Sequence, residues 1–107
     1  MKILFICNQG ENRSRTAKEL FSKRYNTKSA GLFALIKENR VSKYVLDWAD
    51  LILVMEEFQR SHLAEHFPEQ YLKKKILVMD IPDIYRYNQP ELIELLRKKL
   101  KALKKSF

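Results

Sequence analysis

The chain has 107 residues, 46% of them hydrophobic, which suits one compact domain over residues 1–107 and argues against a disordered polypeptide. No apolar run approaches the ~20 residues that cross a bilayer, and the stretch Lys2–Ile6 gives way at once to Asn8 and Gln9, unlike a secretory signal; a cytoplasmic protein with no membrane partner is expected. One cysteine excludes an internal disulfide or a multi-thiolate metal site, and a net charge of +8, concentrated in Lys73–Lys75 and from Arg97 to Lys105, would attract phosphorylated or acidic partners, with nucleic acid conceivable but unsupported by tail basicity alone.

Lys2 to Ile6 is an apolar run with β-branched and aromatic residues, ended by Asn8-Gln9-Gly10, and reads as a buried strand. From Ser14 the spacing becomes helical, with Ala17, Leu20, Phe21 and Tyr25 on one face. Cys7 therefore lies in a polar turn between a strand and a helix N-terminus. Thr27 to Leu32 holds a second short strand, with Gly31 at a turn or a close approach. Val41, Tyr44, Val45 and Trp48 predict a helical face over 39–48. Asp50 to Met55 is an apolar run after one acid, the pattern of a strand covered on both sides. Phe58 to Phe67 predicts a helix ending before Pro68, and Lys75 to Met79 another buried strand, closed by Asp80-Ile81-Pro82-Asp83. Pro90 opens a last helix with the apolar stripe Leu92, Ile93, Leu96, Leu100 and Leu103. His62 and His66 share a helical face, but Glu65 alone makes a poor third ligand, so neither a metal nor another cofactor is expected.

The order β-α-β-α-β-α-β-α predicts an α/β fold of three layers: a four-stranded parallel sheet flanked by helices on both faces. In such sheets ligands bind beyond the carboxyl ends of the strands. Cys7 and the Asp80–Asp83 segment both follow strands, so they can meet on one edge.

The segment Cys7-Asn8-Gln9-Gly10-Glu11-Asn12-Arg13-Ser14 carries the parts of a phosphate-binding catalytic loop. A turn entering a helix supplies backbone N–H groups and the positive end of the helix dipole, which favour both a bound anion and a reactive thiolate. With five residues between them, Cys7 can sit below a phosphorus atom while the planar Arg13 fork holds two of its oxygens. Asn8, Gln9, Gly10, Glu11 and Asn12 complete the cradle, Gly10 by letting the backbone bend so that amides point inward. Ser14 either donates a hydrogen bond to the Cys7 sulfur or caps the helix. The Glu11 carboxylate must face outward, because inside the cradle it would repel phosphate. Asp80 and Asp83 are rival candidates for the proton donor to the leaving oxygen, and either also suits a turn beside Pro82. Tyr85 and Tyr87 are candidates for a rim that stacks on an aryl substrate, with Phe33 a further one.

These pieces resemble the low-molecular-weight protein tyrosine phosphatase family. The likeness runs through Ile3-Leu4-Phe5-Ile6-Cys7, Arg13-Ser14, Ala17-Lys18-Glu19, Ser29-Ala30-Gly31, Ala49-Asp50-Leu51-Ile52-Leu53-Val54-Met55 and Ile81-Pro82-Asp83-Ile84-Tyr85. It implies Cys7 as nucleophile, Arg13 as phosphate ligand, Ser14 as thiolate partner and Asp83 as general acid, acting on phosphotyrosine in a protein or on a small aryl phosphate. The loop filling departs from the family's usual Gly-Asn-Ile-Cys. Here it reads Gln9-Gly10-Glu11-Asn12, so Asn12 replaces a second cysteine and Gly10 a bracing asparagine, whose part Asn8 or Asn12 can take. Cys7, Gly10 and Arg13 instead fit the Cys-x2-Gly-x2-Arg spacing of other tyrosine and dual-specificity phosphatases, although Ile6 stands where those carry His. The chain is also shorter than is usual for the family between Gly31 and Asp50. Two readings from other classes remain: a cysteine phosphocarrier protein and a non-catalytic phosphate-binding module. A thiol relay for arsenate reduction is unavailable with one cysteine.

Overall fold

The alternation of short apolar runs with helical stripes folds as expected around one parallel sheet. In the computed structural model, which describes residues 1–107, the strands are β1 (Lys2–Cys7), β2 (Asn26–Gly31), β3 (Leu51–Val54) and β4 (Lys75–Val78), in the order β2-β1-β3-β4. The helices are α1 (Arg13–Phe21), α2 (Lys43–Trp48), α3 (Glu57–His66), α4 (Pro68–Lys73) and α5 (Pro90–Leu103), with 3-10 turns at Lys37–Asn39 and Lys104–Ser106. No helix is long and apolar enough to cross a membrane.

Strand alternation sorts the core into two layers. Ile3, Phe5 and Cys7 of β1 face Ala17 and Phe21 of α1 and the α5 stripe Leu92, Leu96 and Leu100. Leu4 and Ile6 face the other way, toward Leu46 of α2 and Leu63 of α3. Burying such a side chain stabilises the fold by about 1.5–3 kcal/mol, so β1 and β3, covered on both faces, anchor it. From β1 the chain crosses to β2 on one side and then to β3 on the other, with Cys7 paired to Gly31 and Ile6 to Val54. The carboxyl ends of β1 and β3 therefore form the switch point of the sheet, where parallel α/β proteins place ligands.

Three local expectations change. The helix predicted over 39–48 begins at Lys43, because Ser42 is extended and its hydroxyl accepts the Val45 N–H at 3.3 Å, an N-cap that stops the helix from starting earlier. Its apolar face also shifts: Leu46 is buried, Tyr44 is 75% exposed, and Val41 precedes the helix, its N–H bonded to the Gly31 carbonyl at 3.0 Å. Pro68 does not leave a loop behind α3. It occupies the first turn of α4, where a missing N–H costs nothing.

Candidate active site

Cys7 is the last residue of β1, and Arg13 is the first of α1. The intervening turn wraps back on the sulfur. The Gly10 N–H donates to Cys7 Sγ at 3.2 Å, and Ser14 Oγ lies 3.1 Å from the same atom. Gly10 reaches this position at φ +75°, a conformation that costs a glycine nothing. Asn8 and Asn12 both brace the loop. Asn8 Oδ1 accepts from Gln59 Nε2 at 2.9 Å, and Asn12 Oδ1 accepts the Tyr87 N–H at 3.1 Å. Gln9, Glu11 and Asn12 are exposed along the outer edge. Glu11 lines a hollow of about 460 Å³ shared with Arg15 and Tyr87, on the α1 side of the loop.

β2 presses on the loop from beside it. A methyl group built on Gly31 would stand 2.3 Å from the Gln9 carbonyl carbon and 2.5 Å from the Gly10 nitrogen. Gly31 is thus the close approach that the sequence suggested. Gly31→Ala is expected to cost about 1–3 kcal/mol or more, because backbone on both sides must move. A loop displaced by about 1 Å loses on the order of 10²-fold in turnover. Thermal unfolding together with kcat/KM checks this; wild-type values for both would mean the contact is slack.

Arg13 is 1% exposed, and a buried cation must find partners. Its Nη1 donates to Glu56 Oε1 at 2.5 Å and to the Ile81 carbonyl at 2.7 Å, and Nη2 stands 3.6 Å from Asp83 Oδ1. Glu56 follows β3, and Ile81 and Asp83 follow β4, so two strand ends converge on the guanidinium that the β1 loop presents. Glu56 is itself fixed through Gln59, whose Oε1 accepts the Met55 and Glu56 N–H groups at 2.8 and 2.9 Å. Gln59, fully buried, thereby joins the β3 turn to Asn8 of the cysteine loop. Neither Glu56 nor Gln59 stands out in the sequence as a site residue. A usable signal was present: Glu56-Glu57-Phe58-Gln59 after an apolar strand is a helix-capping pattern.

Both rival acids are exposed, but Asp83 reaches Arg13, its Oδ1 3.6 Å from Nη2, whereas Asp80 makes no such contact and sits at φ +61° where the chain turns out of β4. The segment after Asp83 is tied down on α1. The Asn88 N–H donates to Thr16 Oγ1 at 2.8 Å, the Tyr87 hydroxyl donates to Glu19, and the Arg15 guanidinium lies 4.3 Å from the Tyr87 ring centre. The Tyr87 hydroxyl, with help from Arg15, holds the Glu19 carboxyl below its usual range, and the same bond raises Tyr87. Tyr87 is therefore pinned, with its ring covered by Arg15, and Tyr85 packs against the α1/α5 core. Tyr87 stays 38% exposed beside Glu11 and Asn12, and Phe33 is a second aromatic side chain open beside the loop. Its N–H donates to the Asn8 carbonyl at 2.8 Å, it is 49% exposed, and its edge rests against His62. His62 and His66 stack 4.0 Å apart face to face, an arrangement that points their nitrogens along parallel planes instead of at a common ion.

No protein-family model and no curated protein matches the sequence. Solved structures match it in fold. Wzb of Vibrio vulnificus, in complex with benzylphosphonate, is 25% identical with a TM-score of 0.79, over 99% of this chain and 98% of its own. A low-molecular-weight protein tyrosine phosphatase from T. tengcongensis is 22% identical with a TM-score of 0.77, over 100% and 99% of the two chains. The YwlE arginine phosphatase from Geobacillus stearothermophilus is 24% identical with a TM-score of 0.64, over 97% and 86%. The chain has the fold of the low-molecular-weight protein tyrosine phosphatases, with the Cys-x5-Arg-Ser loop after its first strand.

Proposed function

We propose that this protein hydrolyses phosphate monoesters, with aryl phosphates such as protein phosphotyrosine as the substrate class, through a phosphocysteine intermediate. The observation that carries this reading is the convergence on one loop of a sulfur met by the Gly10 N–H and Ser14, a buried Arg13, and an Asp83 carboxylate 3.6 Å from it. Donors aimed at the sulfur stabilise the thiolate that attacks phosphorus. Nη1 of Arg13 is engaged by Glu56 and Ile81, so Nε and Nη2 are the groups to hold two phosphate oxygens. As the S–P bond forms and the P–O bond to the aryl group breaks, the Asp83 carboxyl gives its proton to the leaving oxygen. Water then attacks the phosphocysteine, the Asp83 carboxylate takes up one of its protons, and inorganic phosphate leaves with the thiolate restored.

Asp83→Asn tests the assignment. It is expected to lower kcat ~10²–10⁴-fold on phosphotyrosine, whose leaving oxygen needs a proton, and less on para-nitrophenyl phosphate, whose leaving group departs unaided. Asp80→Asn is expected to remain close to wild type. Equal effects of the two substitutions, or a loss by Asp83→Asn that ignores the leaving group, would remove Asp83 as the acid. A phosphocarrier has no use for such an acid, and a binding module would retain phosphate affinity without turnover. One observation favours a second substrate: exposed Glu11 on the loop edge is suited to a guanidinium, and the Geobacillus neighbour is an arginine phosphatase. Faster turnover of phosphoarginine than of phosphotyrosine peptides would select that reading.

A further inference from the structure

The net charge of +8 is carried by one pole of the molecule. Residues 20–25 and 97–105 hold Lys23, Arg24, Arg97, Lys98, Lys99, Lys101, Lys104 and Lys105 and no acid, while the other thirteen Lys and Arg match the thirteen Asp and Glu. The end of α1 and the second half of α5 bring these groups together. Lys23, Arg24, Arg97, Lys101 and Lys104 line one groove of about 570 Å³, and none of the five has a carboxylate within 4.0 Å. Leu20, partly exposed, forms its floor above the buried Phe21 and Leu100. The groove lies at the far end of α1 from Cys7, roughly 12 Å along the helix from Arg13 at ~1.5 Å per residue. Cations in the last turn of a helix commonly complement its dipole. That does not account for Arg97, midway along α5, or for Lys23 and Arg24 arriving from another helix.

We propose that this groove binds an acidic peptide segment of a protein partner, one that alternates carboxylate and apolar side chains. Unpaired cations along both walls answer the carboxylates, and Leu20 with the aliphatic stems of the wall side chains answers the apolar residues between them. A nucleic acid would leave that floor unused, and Phe21, buried and stacked on Phe5 at a ring separation of 5.8 Å, offers no face for a base. An anionic membrane would need exposed apolar side chains beside the cations, but Leu35, Ile36, Leu72 and Ile84, the exposed aliphatic residues, all lie outside these two segments. Occupation of the groove would tether a protein to the molecule and leave the cysteine loop open.

The test is fluorescence anisotropy with the full chain and a short labelled peptide of alternating Glu and Leu. An equally charged Glu-Ser peptide, an equally charged oligothymidylate and phosphatidylserine vesicles serve as comparisons. The Glu-Leu peptide is expected to bind most tightly, about tenfold better than Glu-Ser, and to weaken as salt is raised. Arg97→Gln with Lys101→Gln should weaken it about tenfold, whereas Lys98→Gln with Lys105→Gln, which removes the same charge outside the groove, should change it less than about threefold. Thermal unfolding of both double variants confirms that each is folded. Tighter binding of the oligonucleotide or the vesicles overturns the proposal. Equal loss in the two double variants, or no peptide binding at low salt, overturns it as well.

Discussion

Cys7→Ser is expected to bring hydrolysis of para-nitrophenyl phosphate to background, a loss of ~10⁴-fold or more, while leaving the fold and phosphate binding in place. The substitution exchanges one small buried group for another at the end of β1, so the core around Phe5 and Phe21 is undisturbed. What disappears is the nucleophile. A serine hydroxyl keeps its proton at neutral pH, and no base lies against this position to remove it: the nearest polar partners are the Gly10 N–H and the Ser14 hydroxyl. Arg13, Glu56 and the loop amides remain, so inorganic phosphate should still bind, as calorimetry would measure. Arg13→Lys is the complementary change. It retains the charge but exchanges a planar fork for a single ammonium, with an expected loss of ~10²–10³-fold in kcat/KM. If Cys7→Ser keeps wild-type turnover, the chemistry does not pass through sulfur.

The outline of the fold was legible because three of its four strands and the last helix declare themselves by local pattern. Ile3–Ile6, Leu51–Met55 and Ile76–Met79 are unbroken apolar runs of strand length, and Leu92, Leu96 and Leu100 mark one face of α5. Short elements were harder to read. In α2 the capping hydroxyl of Ser42 decides where the helix starts, and it leaves Tyr44 on the outside despite its place in an apparent stripe. The loop from Cys7 to Ser14 was legible as spacing, since its contacts lie within eight residues of one another. The anchoring of Arg13 was not. Its partner Glu56 is 43 residues away and arrives through the pairing of β1 with β3, and Ile81 arrives through β4. Local pattern marks Glu56 as a helix cap, but only the sheet register makes it the neighbour of Arg13. Asp83 and Asp80 illustrate the same limit. Both follow β4, and the turn at Asp80 decides which one reaches the guanidinium.

Glu56→Ala is expected to be the most destabilising single change at the site outside the cysteine loop. It leaves the Arg13 cation, 1% exposed, with the Ile81 carbonyl at 2.7 Å and the more distant Asp83 carboxylate at 3.6 Å. Breaking a buried pair in this way costs about 3–5 kcal/mol; because Glu56 keeps 30% of its side chain in contact with water, the lower end is expected. Freed from Glu56, the guanidinium can close on Asp83, drawing the acid away from the leaving oxygen and adding a loss of ~10²-fold in kcat from misplacement. Glu56→Gln separates the two effects, since it preserves the shape and an acceptor but removes the charge. Glu56 neutralises Arg13, so the attraction for a phosphate dianion rests largely on the loop amides and the α1 N-terminus. Removing that negative charge should leave inorganic phosphate bound as tightly as before, or more tightly, while kcat falls because the fork is less firmly aimed. A residue that merely held the fold together would weaken phosphate binding and turnover in parallel. Denaturant unfolding, the inhibition constant for phosphate and kcat, measured on Glu56→Ala and Glu56→Gln, therefore distinguish an orienting carboxylate from a structural one. Wild-type stability in Glu56→Ala would mean that Arg13 does not depend on this pair.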